Sequence, residues 1–184
     1  MAVLKVSPDE LSCLLSKLSG VLDFNKDLPL NVFVDGDFLF WFFERPILSF
    51  FDVICGLITV SISSFKSDVF IKFSGGELLV DSCFSVNGSD VENDLIWIGK
   101  RSEDFFGGAV GYPIILFNRT HDWIAFESAH EEFGVIAVRE SALQEVFVEY
   151  LDSNLISSGE ITALASGTSA ESKIARAFIS SFIS

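Results

Sequence analysis

Residues 112–139 read YPIILFNRTHDWIAFESAHEEFGVIAVR and carry the strongest indication of fold in the chain. Three apolar runs lie in this segment, at 112–117, 123–128 and 133–139, and each is rich in β-branched and aromatic residues. The links between the runs are a few residues long, which is too short for a crossover helix between parallel strands. The segment therefore predicts three consecutive strands of an antiparallel meander.

Helices are predicted on both sides of this meander. Ser7 can cap a helix that begins at Pro8, and Glu10 can complete a capping box. Other helices are predicted after Pro46 to about residue 57 and after N-caps at Ser141 and Thr168. A strand–turn–strand is predicted at 31–43, with a helix from Asp37 as the alternative, a hairpin at 69–83 and a short strand at 95–98. Strands therefore come in blocks, which indicates a single α+β domain over residues 1–184: an antiparallel β-sheet with helices packed against it.

The apolar segment 46–64, PILSFFDVICGLITVSISS, is a candidate membrane span. Its length is close to the roughly 20 residues that a span needs. Asp52 is its only charged residue and would cost about 2.5 kcal/mol or more in the bilayer. The final residues alternate as in a strand, so the segment predicts a buried helix that leads into a strand.

Composition limits the class of partner. The 184 residues include 20 Phe, enough to build a core without disulfides, and the net charge is −14. Such a charge argues against nucleic acid and anionic membranes as ligands, and it leaves a basic protein partner or simple solubility. Cys13, Cys55 and Cys83 form no CxxC pair, and the N-terminus lacks signal-peptide features. Buried free thiols in a reducing cytoplasm are expected.

The segment 121–138 contains both histidines of the chain, His121 and His130. They flank one predicted strand and would lie roughly 20 Å or more apart, too far to share a metal ion. The HEEFG sequence is not HExxH, and no G-x-S-x-G, P-loop or G-x-G-x-x-G motif is present. No cofactor, metal ligand or catalytic residue is predicted.

Acidic residues are segregated along the chain. Segments 74–99, 120–138 and 140–172 contain five, four and six acids and no Lys or Arg. Such segregation can create a negative field that steers a basic protein partner. The residues predicted to bind that partner are Asp122, Glu127, His130, Glu131 and Glu132, followed by Asp35 and Asp37.

Residues 123–140, WIAFESAHEEFGVIAVRE, resemble the C-terminal hairpin of small acidic bacterial immunity proteins. The resemblance lies in a strand that begins with Trp, an acidic turn and a Gly-Val-apolar strand. It implies a cytoplasmic inhibitor that occludes the active site of a cognate toxin, often a basic nuclease.

Three alternatives stay open at this point. The acids of 129–132 can be loop residues that are merely solvated. A small enzyme that uses a carboxylate cluster would show a carboxylate of raised pKa beside His121 or His130. A structural or assembly subunit would bury exposed Phe-rich surface in a homo-oligomer.

Overall fold

The computed structural model describes residues 3–34, 36–107 and 113–183. Within this part of the chain, six helices accompany seven strands of one antiparallel sheet, which confirms the predicted α+β class. The strands are β1 Leu4–Lys5, β2 Phe38–Glu44, β3 Val69–Lys72, β4 Cys83–Val86, β5 Ile114–Asn118, β6 Trp123–Glu127 and β7 Phe133–Arg139. The helices are α1 Pro8–Leu18, α2 Phe51–Phe65, α3 Val91–Phe106, α4 Glu145–Asn154, α5 Ser158–Ala165 and α6 Ala170–Phe182.

The predicted meander lies near the centre of the sheet, whose strand order is β1-β4-β3-β5-β6-β7-β2. Strand β6 pairs with both neighbours, and Ala125 lies opposite Leu116 of β5 and Ile136 of β7. The predicted hairpin at 69–83 is also present, although its second strand begins only at Cys83, after a longer connection.

Helices cover both faces of the sheet. Side chains of β5 alternate between two cores: Ile115 and Phe117 enter the core under α1, α5 and α6, while Ile114 and Leu116 enter the core under α2, α3 and α4. Every residue of β3 to β7 is buried, apart from a half-buried residue at the end of β7. The fold is therefore a helix–sheet–helix sandwich.

Two predicted strands are helical in the structure. The 95–98 segment lies inside α3, where Leu95 and Ile98 are buried and Ile96 is exposed. The end of segment 46–64 belongs to α2, whose buried residues Ile54, Leu57, Ile58 and Ser61 follow the helical period. Short apolar runs fit either period, so the strand prediction was wrong at both places.

The loop before β2 also differs from its prediction. The predicted strand–turn–strand over 31–43 is reduced to β2, preceded by an isolated bridge between Leu22 and Phe33. β2 itself is confirmed, and its aromatic side chains Trp41 and Phe43 enter one core while Phe42 enters the other.

Of the three predicted helix caps, Ser7 is confirmed, and the other two helices begin later in the chain than predicted. Ser7 caps α1 by accepting the Glu10 N–H at 3.3 Å, whereas the Glu10 carboxylate lies 3.3 Å from Arg119 Nη1. The helix predicted at Ser141 begins only at Glu145, because 140–142 form a 3₁₀ turn. Ser169, one residue beyond the predicted cap, caps α6.

None of the helices within the described residues combines the length and the apolar character that a bilayer span requires. The most apolar candidate, α2, is 15 residues long and carries Asp52 in its first turn.

Close packing between β2 and β7 gives a stability prediction. Gly134 lies opposite Phe43, and a Cβ atom at Gly134 would overlap the buried Phe43 ring. We expect Gly134→Ala to lower the free energy of unfolding by about 1 to 3 kcal/mol, because that ring is fixed by its core neighbours. The measurement is urea denaturation followed by circular dichroism.

Gly99 provides the matched control for this substitution. It lies in α3, and a Cβ atom there would meet no atom within 4 Å. Gly99→Ala should therefore stabilise the protein by up to about 1 kcal/mol through helix propensity. Equal effects of the two substitutions would contradict the packing described between Phe43 and Gly134.

Candidate functional site

The residues predicted to bind a partner separate to the two ends of the sheet. Strand β2 runs antiparallel to β7, with Phe38 opposite Arg139 at one end and Glu44 opposite Phe133 at the other. Asp122 and Asp37 lie at the first end; Glu127, His130, Glu131 and Glu132 lie at the second; Asp35 lies outside the described residues. The structure thus brings together four of the seven.

Glu127 ends β6 and is only 3% exposed. Its Oε2 accepts the Ile47 N–H at 2.7 Å, and its Oε1 lies 3.7 Å from Arg45 Nε. Burial raises the pKa of the Glu127 carboxyl, while the Ile47 N–H and the Arg45 charge oppose that rise. Glu127 therefore fixes the segment after β2 and offers no exposed carboxylate to a partner, contrary to its predicted role.

Arg45 holds the loop between β6 and β7 from one side. Its N–H donates to the carbonyl of Glu132 at 3.1 Å, and its Nη1 donates to the carbonyl of Glu131 at 3.0 Å. Both acceptors are backbone carbonyls, so these two bonds do not use the side-chain carboxylates of Glu131 and Glu132.

Ser128 holds the same loop from the other side. Its buried hydroxyl donates to Asp27 Oδ2 at 2.9 Å and accepts the His130 N–H at 3.0 Å. The loop of residues 128–132 is therefore tied to the rest of the protein on both sides, which limits the entropy that it would lose on binding.

A cleft of about 460 Å³ opens beside this loop. Its lining includes Arg45, His130 and four acidic residues, Glu44, Glu131, Glu132 and Glu171. We call these four residues and the space between them the acidic cleft. Among the ion pairs formed within the described residues, none involves any of the four.

Glu131 is the least exposed of the four and has a perturbed acidity. Burial raises the pKa of its carboxyl, and the neighbouring Asp27 and Glu132 carboxylates raise it further. His130 and Arg45 lower the pKa by a smaller amount. An added cation in the cleft would offset the repulsion from Asp27 and Glu132 and favour the ionised form of Glu131.

Sequence reasoning missed Glu44 and Glu171. Glu44 ends β2 and reaches the cleft only because β2 pairs with β7, and Glu171 lies in the first turn of α6. The pairing of strands distant in the chain has no local signal in the sequence.

Asp122 orders the turn between β5 and β6. Its carboxylate accepts the Asn118 amide at 2.7 Å and the Thr120 hydroxyl, and its N–H donates to Asn118 Oδ1 at 2.8 Å. Asp37 is exposed, and its backbone carbonyl accepts the Glu140 N–H at 2.9 Å. Both residues lie at the end of the sheet opposite the acidic cleft and cannot join it in one contact.

His121 and His130 lie before and after β6. Among the described residues, no group of three or more His, Cys, Asp or Glu is arranged to hold a metal ion. The three thiols are free; Cys83 is buried as predicted, Cys55 is half-buried, and Cys13 is exposed, contrary to prediction.

Comparison of the chain with protein-family models, with curated proteins and with solved structures finds no match in any of the three. The resemblance of residues 123–140 to immunity proteins therefore stays a prediction.

Lys72 is a second feature that the sequence did not indicate. It ends β3 opposite Cys83 and is fully buried. Its Nζ donates to the carbonyl of Glu77 at 2.8 Å and to the Ser74 hydroxyl. Burial lowers the pKa of Lys72 to about 8, against smaller opposing effects of Cys83 and Glu77.

This buried amine predicts a pH dependence of stability. The Lys72 pKa is about 8 in the folded chain and about 10.5 when unfolded, so between these values the unfolded chain binds more protons. Lys72 thus makes stability rise with pH in that window. We expect Lys72→Met to gain stability relative to the natural chain at pH 7, and that gain to shrink by roughly 2 to 3 kcal/mol at pH 10.

The measurement is urea denaturation of both proteins at the two pH values. Comparing the free energies of unfolding of the two proteins removes the contribution of every titrating group that does not interact with Lys72. The exposed Lys66→Met variant is the control and should show no such change. A pH-independent difference for Lys72→Met would contradict the lowered pKa.

Proposed function

We propose that this chain is an acidic binding protein that engages a basic protein partner through the acidic cleft. The most specific form of this proposal is that the chain neutralises a toxin by occluding its active site. The observation that carries the proposal is that four acidic residues, with no ion-pair partner among the described residues, line one cleft of about 460 Å³.

The cleft is suited to binding because its walls are already fixed. Glu131 and Glu132 lie on a loop that Arg45 and Ser128 hold through hydrogen bonds. Glu44 lies at the end of a strand fully paired with β7. A partner therefore meets carboxylates whose backbones need little rearrangement, and the entropic cost of association is reduced.

Charge determines which partner fits. A Lys or Arg side chain entering the cleft meets opposite charge from several directions, while an anionic ligand is repelled. The net charge of −14 extends this attraction beyond contact distance and favours rapid association with a basic protein. For a toxin whose active site is cationic, occupation of that site by these carboxylates would block substrate directly.

A cytoplasmic location is part of this proposal. The free thiols of Cys13, Cys55 and Cys83 suit a reducing compartment. The immunity-protein resemblance of residues 123–140 implies the same location, since such inhibitors act inside the cell that makes the toxin.

One observation favours a second candidate, a carboxylate-dependent enzyme. Glu131 has a raised pKa and lies in the cleft next to His130, an arrangement that suits general acid catalysis. A panel of chromogenic glycosides and phosphoesters tests it. Turnover that Glu131→Gln abolishes and the exposed Glu103→Gln leaves unchanged would favour the enzyme.

Charge reversal tests the binding proposal. We expect Glu131→Lys combined with Glu132→Lys to weaken binding of the basic partner roughly 100-fold, because attraction becomes like-charge repulsion. The partner is captured from the lysate of the source cell at low salt and identified by mass spectrometry. Its binding is then measured by surface plasmon resonance at low and high salt, and the loss should lie mainly in the association rate.

The matched control is Glu103→Lys combined with Asp104→Lys, which makes the same charge change at exposed positions near the end of α3. This variant should keep most of the affinity. If both double variants bind equally well, or if the captured protein is not basic, the acidic cleft is not the binding site.

A further inference from the structure

An apolar pocket of about 200 Å³ adjoins the acidic cleft. Its apolar lining consists of Phe43, Ile47, Phe50, Val53, Leu155 and Ile156. Glu44 lines both the pocket and the acidic cleft, so the two concavities share one wall. A ligand that fills the pocket would therefore contact Glu44, one of the four residues of the acidic cleft.

Hydrogen bonds hold the walls of the apolar pocket in place. Ile156 exchanges two backbone hydrogen bonds with Phe42, both 2.8 Å long, which ties the segment after α4 to the edge of β2. Ile47 is fully buried and its N–H is held by Glu127. The rim is more open, with Phe50 40% and the adjacent Phe51 37% exposed.

Concave apolar sites that exclude water around one inserted side chain dominate the affinity of many protein interfaces. Charged residues at the rim contribute more to the association rate and to the choice of partner. The apolar pocket and the acidic cleft supply these two parts side by side. An isolated exposed Phe would need no explanation. An apolar pocket next to unpaired carboxylates, by contrast, is complementary to a ligand that carries both an apolar group and a positive charge.

We propose that the partner inserts one large apolar side chain into the apolar pocket and places a Lys or Arg of the same segment against Glu44. This inference rests on the proposed function, since it names the chemistry that the acidic cleft selects. The negative charge of the cleft disfavours an anionic ligand, and the net charge of −14 disfavours a second copy of this chain. The occupant is therefore a basic–apolar segment of another protein.

A random 12-residue peptide library displayed on phage tests this inference with the full chain as bait. Selection at low salt should enrich peptides that carry Lys or Arg within a few residues of Leu, Ile, Met, Phe or Trp. Synthetic copies of the enriched peptides are then measured by fluorescence anisotropy. We expect at least tenfold weaker binding to Val53→Trp, which fills the pocket, and to Glu44→Lys, which reverses its shared wall.

Val80→Trp is the matched control, because Val80 is 76% exposed and does not line the pocket; it should bind normally. Asn154→Trp, at an exposed position on the pocket rim, serves as a second filling variant if Val53→Trp does not fold.

The outcomes separate this inference from the proposed function. Basic peptides without an apolar preference that bind Val53→Trp normally would overturn the inference and leave the acidic cleft as a binding site. Peptides without basic residues that are insensitive to Glu44→Lys would overturn both. Absence of any enriched sequence, or a dimer in sedimentation that Val53→Trp dissociates, would also overturn the inference, since it requires one contiguous segment of another protein.

Discussion

Burial of the sheet on both faces is the constraint on which the rest of the structure depends. Neighbouring residues of a strand point to opposite faces, so a strand covered on both sides must be apolar at nearly every position. In β6, Trp123 and Ile124 are each fully buried, in different cores. Charged side chains are thereby displaced to strand ends and connecting loops. The acidic cleft lies at such an end because the sheet has little other place for carboxylates.

The same constraint explains why several of the polar groups that enter the core are hydrogen-bonded. The indole N–H of Trp123 donates to the Ser61 hydroxyl at 2.7 Å, and that of Trp41 donates to Asp152 at 2.8 Å. Glu127 behaves in the same way, since its buried carboxylate accepts a backbone N–H. An unpaired donor or carboxylate there would cost its full desolvation energy, about 1 to 3 kcal/mol or more. Satisfying Glu127 also fixes Arg45, which fixes the loop bearing Glu131.

The local parts of this design were predictable from sequence, and the non-local parts were not. The meander followed from three apolar runs joined by short links, and the Ser7 cap from its spacing to Glu10. The strand predicted at 95–98 was wrong because four apolar residues do not reveal their period. In the site, proximity in sequence grouped Glu131 correctly with Glu132. It also grouped Asp122 with them, although β6 carries Asp122 to the opposite end of the sheet.

Arginine residues make different contacts at the two ends of the sheet, and this difference leaves the carboxylates of the acidic cleft without an ion-pair partner among the described residues. At the end near Asp122, Arg119 pairs with Glu10 and Asp68, and Arg139 donates to the His121 carbonyl. At the cleft end, the Arg45 guanidinium lies 3.7 Å from Glu127 and donates to the Glu131 carbonyl, and it forms no ion pair with the four cleft carboxylates. None of the ion pairs among the described residues involves the four cleft carboxylates, and Arg45 and His130 offset only part of the burial and like-charge effects on Glu131. If the cleft binds a basic partner, as proposed, that partner would supply the further positive charge.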